Sequence, residues 1–329
     1  MTSRRPGFGV ALPTSGPFAT ASNIFAIAEK AEACGYDDVW VNDHLSYPRE
    51  RLSRSSAGSV EAAGEQDPNF FESLTTLAAV GGRVRRIGLA VHSLVLPLRD
   101  PRLFAKQIAS IRELAGRQLT VAPGIGSSRD DFAAAGVPFE ERGRRLDEYL
   151  AVLEVIAKGE HPVAFEGRYV RFGGATLYPR PTNVRLWITG DSEPALRRVV
   201  RWGSGWFSSW WPTLAAYEQL GARLDDLARE AGRPPAAIER ASDPFVCLAE
   251  TREAALRICG ETLRQRYGSL ERALVISAVG SPADVREQLR GLMRSGCTYF
   301  ELRFICHDMN AYLEMVDRVA SDVVPGLRT

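Results

Sequence analysis

Apolar residues follow two rhythms along this chain, and the switch from one to the other repeats. A helix-period segment ends at a glycine, and a few residues later a short β-branched or aromatic run begins. EKAEACGYDDVWV (29–41), SIRELAGRQLTVA (110–122), RRVVRWGSGWFSS (197–209) and RGLMRSGCTYFELRF (290–304) share this form. Glycine suits the left-handed position that closes a helix. An unbroken apolar run after it suits a strand buried on both faces. The repetition predicts an alternating α/β chain with a parallel sheet.

Filling the gaps gives strand candidates at 8–12, 38–41, 87–91, 118–122, 186–189, 205–209, 245–249 and 299–304. Helix candidates lie at 21–34, 70–82, 101–115, 142–158, 193–202, 213–231, 252–266, 281–295 and 308–322. Eight β/α units without an evident linker predict a (β/α)8 TIM barrel with loop insertions, spanning 1–329 as one domain. A doubly wound open sheet is the alternative, but no GxGxxG turn follows the first strand. The chain runs about 80 residues beyond a typical barrel. The excess falls mainly in 44–70, 123–141 and 159–184, and FEGRYVRFGG in the last reads as a β-hairpin.

Composition narrows the class without naming a function. Apolar residues make up 45% and charged residues 25%, as in an ordinary globular protein. With 41 basic against 40 acidic residues there is no electrostatic case for nucleic acid or an anionic membrane. No stretch approaches a transmembrane span, and MTSRRPGFGVALP lacks the apolar core of a signal peptide. The expected setting is the cytoplasm. Five scattered cysteines without CxxC read as reduced thiols, with neither disulfides nor a zinc site.

Barrel enzymes keep their chemistry at the C-terminal ends of the strands. The second strand ends there on Asn42-Asp43-His44, in VWVNDHLSYP. A histidine beside a carboxylate at that face is a candidate for proton transfer near neutral pH; the plainer reading is a capping Asp43 and a satisfied imidazole. No HxH, HExxH or GxSxG occurs, so neither a metal site nor a hydrolytic triad is expected. In ITGDSEPALRRVV (188–200) the strand passes through Gly190-Asp191-Ser192 into a helix. Ser192 and Pro194 are ordinary helix-start residues, and the free N–H groups of such a start also suit a phosphate. Asp191 counts against an anion there. Gly124 and Gly126 in APGIGSSRDDF let backbone approach a ligand. Trp206, Phe207, Trp210 and Trp211 either line an apolar cavity or pack in the core.

Taken in order, five passages resemble the luciferase-like flavin and deazaflavin oxidoreductases, most closely their F420-dependent branch. They are the GYDDVWVNDH passage within 29–44, RIGLAVHSLVLPLRDPRLFAKQIASIRELAGRQLTVAPGIG (86–126), DDFAAAGVPFEERGRRLDEYLAVL (130–153), LWITGDSEPALRRVVRWGSGWF (186–207) and GSPADVREQLRGLMRSGCTYFELRF (280–304). The resemblance implies a barrel with the cofactor's tricyclic ring in its mouth. It places a non-prolyl cis peptide within His92-Ser93-Leu94, against the ring, and the Asp43-His44 pair beside the ring's hydride-carrying position. It assigns Gly124 and Gly126 to the ring's backbone lining, and Thr189, Gly190 and Ser192, with Asp191 between them, to a phosphate turn. There are departures. Pro123 stands where glycine is common, removing a donor, and Ser127 stands where some relatives carry a catalytic glutamate. His92 is larger than the residue expected beside the ring.

The implied activity is hydride transfer between F420 and a small organic substrate, with His44 moving the proton. Two rivals stand beside it. One is an FMN-dependent two-component monooxygenase served by a flavin reductase, and the other is a non-catalytic flavin- or metabolite-binding protein. Arg49, Arg51 and Arg54 are candidates to meet the acidic tail of F420, and a homodimer is expected.

Overall fold

The computed structural model describes residues 5–46, 69–208 and 213–328. Arg49, Arg51, Arg54, Trp210 and Trp211 lie outside them. Strands β1 (Gly7–Ala11), β2 (Asp38–Val41), β3 (Gly88–Val95), β4 (Leu119–Gly124), β7 (Val184–Thr189), β8 (Gly205–Phe207), β9 (Glu239–Ser242) and β12 (Tyr299–Phe304) pair in that order. Every pairing is parallel, and β12 returns to β1 to close an eight-stranded barrel. β5 (Val163–Glu166) and β6 (Arg171–Ala175) form the expected antiparallel hairpin outside it.

Helices surround the barrel: α1 (Ala21–Ala33), α2 (Ser73–Gly81), α3 (Pro101–Ala115), α4 (Arg129–Ala134), α5 (Arg142–Lys158), α6 (Glu193–Trp202), α7 (Leu214–Glu230), α8 (Arg252–Tyr267), α9 (Leu270–Val275), α10 (Pro282–Arg294) and α11 (Met309–Arg318). Their starts follow local chemistry. Asp100 caps α3 by accepting from the Arg102 and Leu103 amides, with Pro101 in the first turn. Of the four helix-closing glycines, Gly35, Gly116 and Gly296 have positive φ as expected. Gly203 does not, at φ −84°. It is needed for space, since a Cβ there would stand 3.1 Å from both the Gly205 carbonyl oxygen and Ile188 Cγ1.

The seventh stave departs from expectation. The run at 245–249 is only its second half, β10 (Phe245–Leu248). β9 and β10 pair with β12 in one register, Ala241 opposite Tyr299 and Phe245 opposite Arg303, so they are one strand interrupted at Asp243-Pro244. After the break β10 turns its other edge to the extra strand β11 (Ser277–Gly280) instead of β8. ERAS (239–242) escaped recognition because its polar residues do not read as a buried strand. SAVG (277–280) is short and small.

Strand alternation divides the core in two. Val39, Val41, Leu89, Val91, Phe300 and Leu302 face the helices. Trp40, Ala90, Ala122, Trp187, Phe207, Ala241 and Tyr299 fill the barrel. Three alanines make room there for four large rings; Trp187 and Tyr299 meet at 5.0 Å between centroids and Trp40 and Trp187 at 5.6 Å. Among the described residues no helix is long and apolar enough to cross a membrane, no cluster of three or more His, Cys, Asp or Glu could hold a metal, and the five cysteines are free.

Candidate active site

The pleat that sends Trp40 inward sends Asn42 inward too, and turns Asp43 out towards the helices. There Asp43 is buried and its carboxylate is fully engaged. Oδ1 accepts from Ser73 Oγ at 2.9 Å and from Arg99, and Oδ2 accepts from the Val95 amide at 2.9 Å. The His92–Ser93 peptide is cis, within the segment the resemblance marked, and the β3–β4 register shifts between His92 and Leu94. Asp43 therefore ties down the end of this irregular segment.

The expected Asp43–His44 pairing is corrected by the same geometry. His44 Nδ1 lies 2.8 Å from Oδ2 of Asp131, in the first turn of α4. Asp131 is 1% exposed. Its Oδ1 accepts from the Ser46 amide at 3.0 Å and from Ser46 Oγ at 2.6 Å. Burial by itself raises the Asp131 carboxyl, but the hydrogen bonds from His44 and Ser46 outweigh it, leaving the pKa below the ordinary carboxylate value. The His44 ring meets Phe70 edge-on at 5.5 Å.

Replacing Asp43 with Ala should consequently act on stability. It strands the buried Val95 N–H and takes from Arg99 one of its two carboxylate partners, Glu72 remaining, at a cost of roughly 2 kcal/mol. Thermal denaturation, with hydrogen exchange at the Val95 amide, checks this; unchanged melting and exchange would remove the anchoring role.

The three residues at the irregular segment part company. His92 points into the barrel, its ring stacked on Phe207 at 3.4 Å between centroids, with Nδ1 2.9 Å from Glu301 Oε2. Leu94 is buried in the outer apolar layer. Ser93 alone lies against Gly124, where a Cβ would stand 2.6 Å from Ser93 Oγ and 3.4 Å from Thr189 Cβ. Three adjacent strands thus meet the mouth with a hydroxymethyl group, bare backbone and a threonine. Gly124 is itself buried, so its missing Cβ is first a packing need between Ser93 and Thr189. Gly126 is explained by packing as well: φ is +78°, and a Cβ would stand 2.6 Å from Val95 Cγ1.

At the phosphate turn, part of the expected donor set is already used. Thr189 Oγ1 donates to the Ala122 carbonyl at 3.2 Å, and the Gly190 amide donates to the Phe207 carbonyl at 3.2 Å. Trp206 Nε1 donates to the Gly190 carbonyl at 2.9 Å, which makes that tryptophan a packing residue. Ser192 sits at the N-cap of α6 without a side-chain capping bond. Asp191 lies between Gly190 and Ser192 in this turn.

Sequence reasoning missed a charged layer across the mouth. Glu301 is fully buried, and Arg303 bridges Glu301 Oε1 at 3.1 Å and Asp243 Oδ2 at 3.0 Å. Arg303 also donates to Asn42 Oδ1 at 3.4 Å. The signal was present in YFELRF, where Glu301 and Arg303 share the inward phase of Tyr299. Beside this layer an open cleft lies between the ends of β1, β10 and β12. Thr14, Asn42, Arg303 and Arg266 line it with Phe245 and Phe304. Thr14 and Ser208 are buried, with hydroxyls that lack a hydrogen-bond partner among the described residues. These orphan hydroxyls fit a polar ligand in this mouth.

Comparison with known proteins bears on the family and the fold. The sequence profile described as luciferase-like monooxygenase matches residues 6–274. An uncharacterized protein of Mycobacterium tuberculosis is 30% identical over 63% of this chain and 72% of its own. An F420-dependent glucose-6-phosphate dehydrogenase of Nocardia farcinica is 25% identical over 98% of this chain and 97% of its own. Among solved structures, an F420-dependent secondary alcohol dehydrogenase in complex with an F420-acetone adduct superposes with a TM-score of 0.82. It covers 99% of this chain and 100% of its own at 16% identity, a likeness of fold. With profile, relatives and barrel in agreement, the chain belongs to the luciferase-like monooxygenase family and is a luciferase-like oxidoreductase.

Proposed function

We propose that this enzyme moves a hydride between the deazaflavin F420 and a small organic substrate. The observation that carries the reading is the mouth itself, where the buried Thr14 and Ser208 hydroxyls lack a partner among the described residues and a histidine is held by a buried carboxylate. The F420-dependent relative that aligns along 98% of the chain supports deazaflavin over FMN. When bound, F420 supplies the hydride chemistry. Ser93, Gly124 and Thr189 would carry its ring, and the Ser192 hydroxyl would meet its phosphate. His44 would hold or release the accompanying proton at Nε2, because Nδ1 is committed to Asp131. The cleft lined by Thr14, Asn42 and Phe245 is the space for the substrate. Ser127, in place of a glutamate, argues against a sugar phosphate.

Binding tests the reading directly. Purified protein should bind F420 at micromolar levels and FMN far more weakly, as read by fluorescence titration at matched concentrations. Gly124→Val, whose side chain would press on Ser93 and Thr189, should abolish binding, with thermal melting measured beside it to separate this from loss of the fold. Preference for FMN would support the family's monooxygenase chemistry with a partner reductase. Binding of neither by folded protein would favour the non-catalytic reading.

A further inference from the structure

We infer that Asp131 is the positioning residue for His44: it holds the proton on Nδ1 and so makes Nε2 the nitrogen that exchanges a proton at the barrel mouth. This rests on the proton-transfer role proposed for His44 above. The geometry selects Asp131 among the nearby carboxylates. Asp43, adjacent in sequence, has both oxygens turned to Ser73, Arg99 and the Val95 amide. Asp131 reaches His44 across 87 positions of sequence, at 2.8 Å.

The carboxylate is itself held in place. Ser46 donates twice to Oδ1, from its amide and its hydroxyl, which leaves Oδ2 for the imidazole. Ser128 Oγ accepts from the Asp131 amide at 3.2 Å and caps the first turn of α4, fixing the backbone that carries the carboxylate. An ionised carboxylate can only accept hydrogen bonds. The same bonds hold Asp131 below the ordinary carboxylate pKa, so at neutral pH it is ionised and Nδ1 must be the donor. The tautomer of a histidine follows from the bond its other nitrogen makes.

The chemical consequence is specific. When Nε2 accepts a proton from a substrate hydroxyl, the O–H bond breaks, an Nε2–H bond forms and the ring becomes imidazolium. The Asp131 carboxylate stands against that charge on the Nδ1 side. In the reverse direction Nε2 returns the proton to the substrate oxygen. Phe70 packs edge-on against the ring and brings no charge. Among the described residues the charged group in contact with the imidazole is Asp131.

The test needs neither cofactor nor substrate. Nitrogen-15 NMR of the full chain, with the His44 signals assigned from their loss in His44→Gln, reads the tautomer of the neutral ring. Wild type should carry its proton on Nδ1. Asp131→Ala should shift the ring largely to the Nε2–H form, and Asp131→Glu should restore part of the Nδ1–H population. Ser46→Ala, which removes the hydroxyl bond and leaves the amide bond to Oδ1, should weaken the Nδ1–H preference less than Asp131→Ala does. An Nε2–H ring in wild type, or one tautomer throughout the series, overturns the inference whatever cofactor is bound. Once a substrate is known, Asp131→Ala should lower kcat on the order of 10²-fold with little change in KM, and Asp131→Glu should recover part of it. Loss of kcat with an unchanged tautomer would overturn the positioning role while leaving the hydride-transfer reading intact.

Discussion

Replacing His44 with Ala is expected to lower turnover about 10²–10⁴-fold, the contribution of a positioned acid or base, while F420 affinity changes little. The separation follows from the division of the mouth. The proposed ring surface draws on Ser93, Gly124 and Thr189 on three neighbouring strands, and His44 comes from the loop after β2, braced by α4. Removing the imidazole leaves Asp131 with both Ser46 bonds, so the carboxylate keeps its hydrogen bonding and the loop its anchor. Single-turnover kinetics with a titration of the cofactor separates the two quantities. Equal turnover by the variant would reduce His44 to a structural residue. A loss of cofactor affinity as large as the loss of rate would make it a binding residue instead.

Glu301 should give the largest stability effect. Glu301→Ala removes the shared partner of His92 and Arg303 from a position with no solvent access. Removing one member of such a buried network costs about 3–5 kcal/mol. The expected fall in melting temperature is on the order of 10 °C. Arg303 retains Asp243, and the interrupted seventh stave leans on that contact, so the damage should spread to the junction of β9 and β10. Glu301→Gln keeps the shape and one acceptor and should fall between Ala and wild type. Differential scanning calorimetry of the three proteins checks the order. If Glu301→Ala melts with wild type, the charged layer is not a source of stability and its place across the mouth needs another explanation.

Periodicity carried the fold a long way. Helix ends at 101–115, 142–158 and 193–202 and the strand at 299–304 could be read from apolar spacing and caps, because these signals are local. The seventh stave could not, because Glu239 and Arg240 hide a strand whose pairing is decided by distant neighbours. Alternation could have gone further than it was taken. Counting by twos from Trp40 turns Asn42 inward and Asp43 outward, and counting from Tyr299 turns Glu301 and Arg303 into the mouth.

What lay in the residues themselves was the barrel, with His44, Ser93 and Gly124 towards the C-terminal ends of its strands. Each follows from patterns only a few residues long, where the steric rules of helix and strand act. The partner of His44 was of another kind. Asp43 is adjacent along the chain, yet the pleat sends it to the outer layer, and the carboxylate that meets the imidazole arrives from α4. A hydrogen bond depends on position in space to within a few tenths of an ångström. Such proximity arises only when the barrel closes and sets the loop after β2 against the loop after β4.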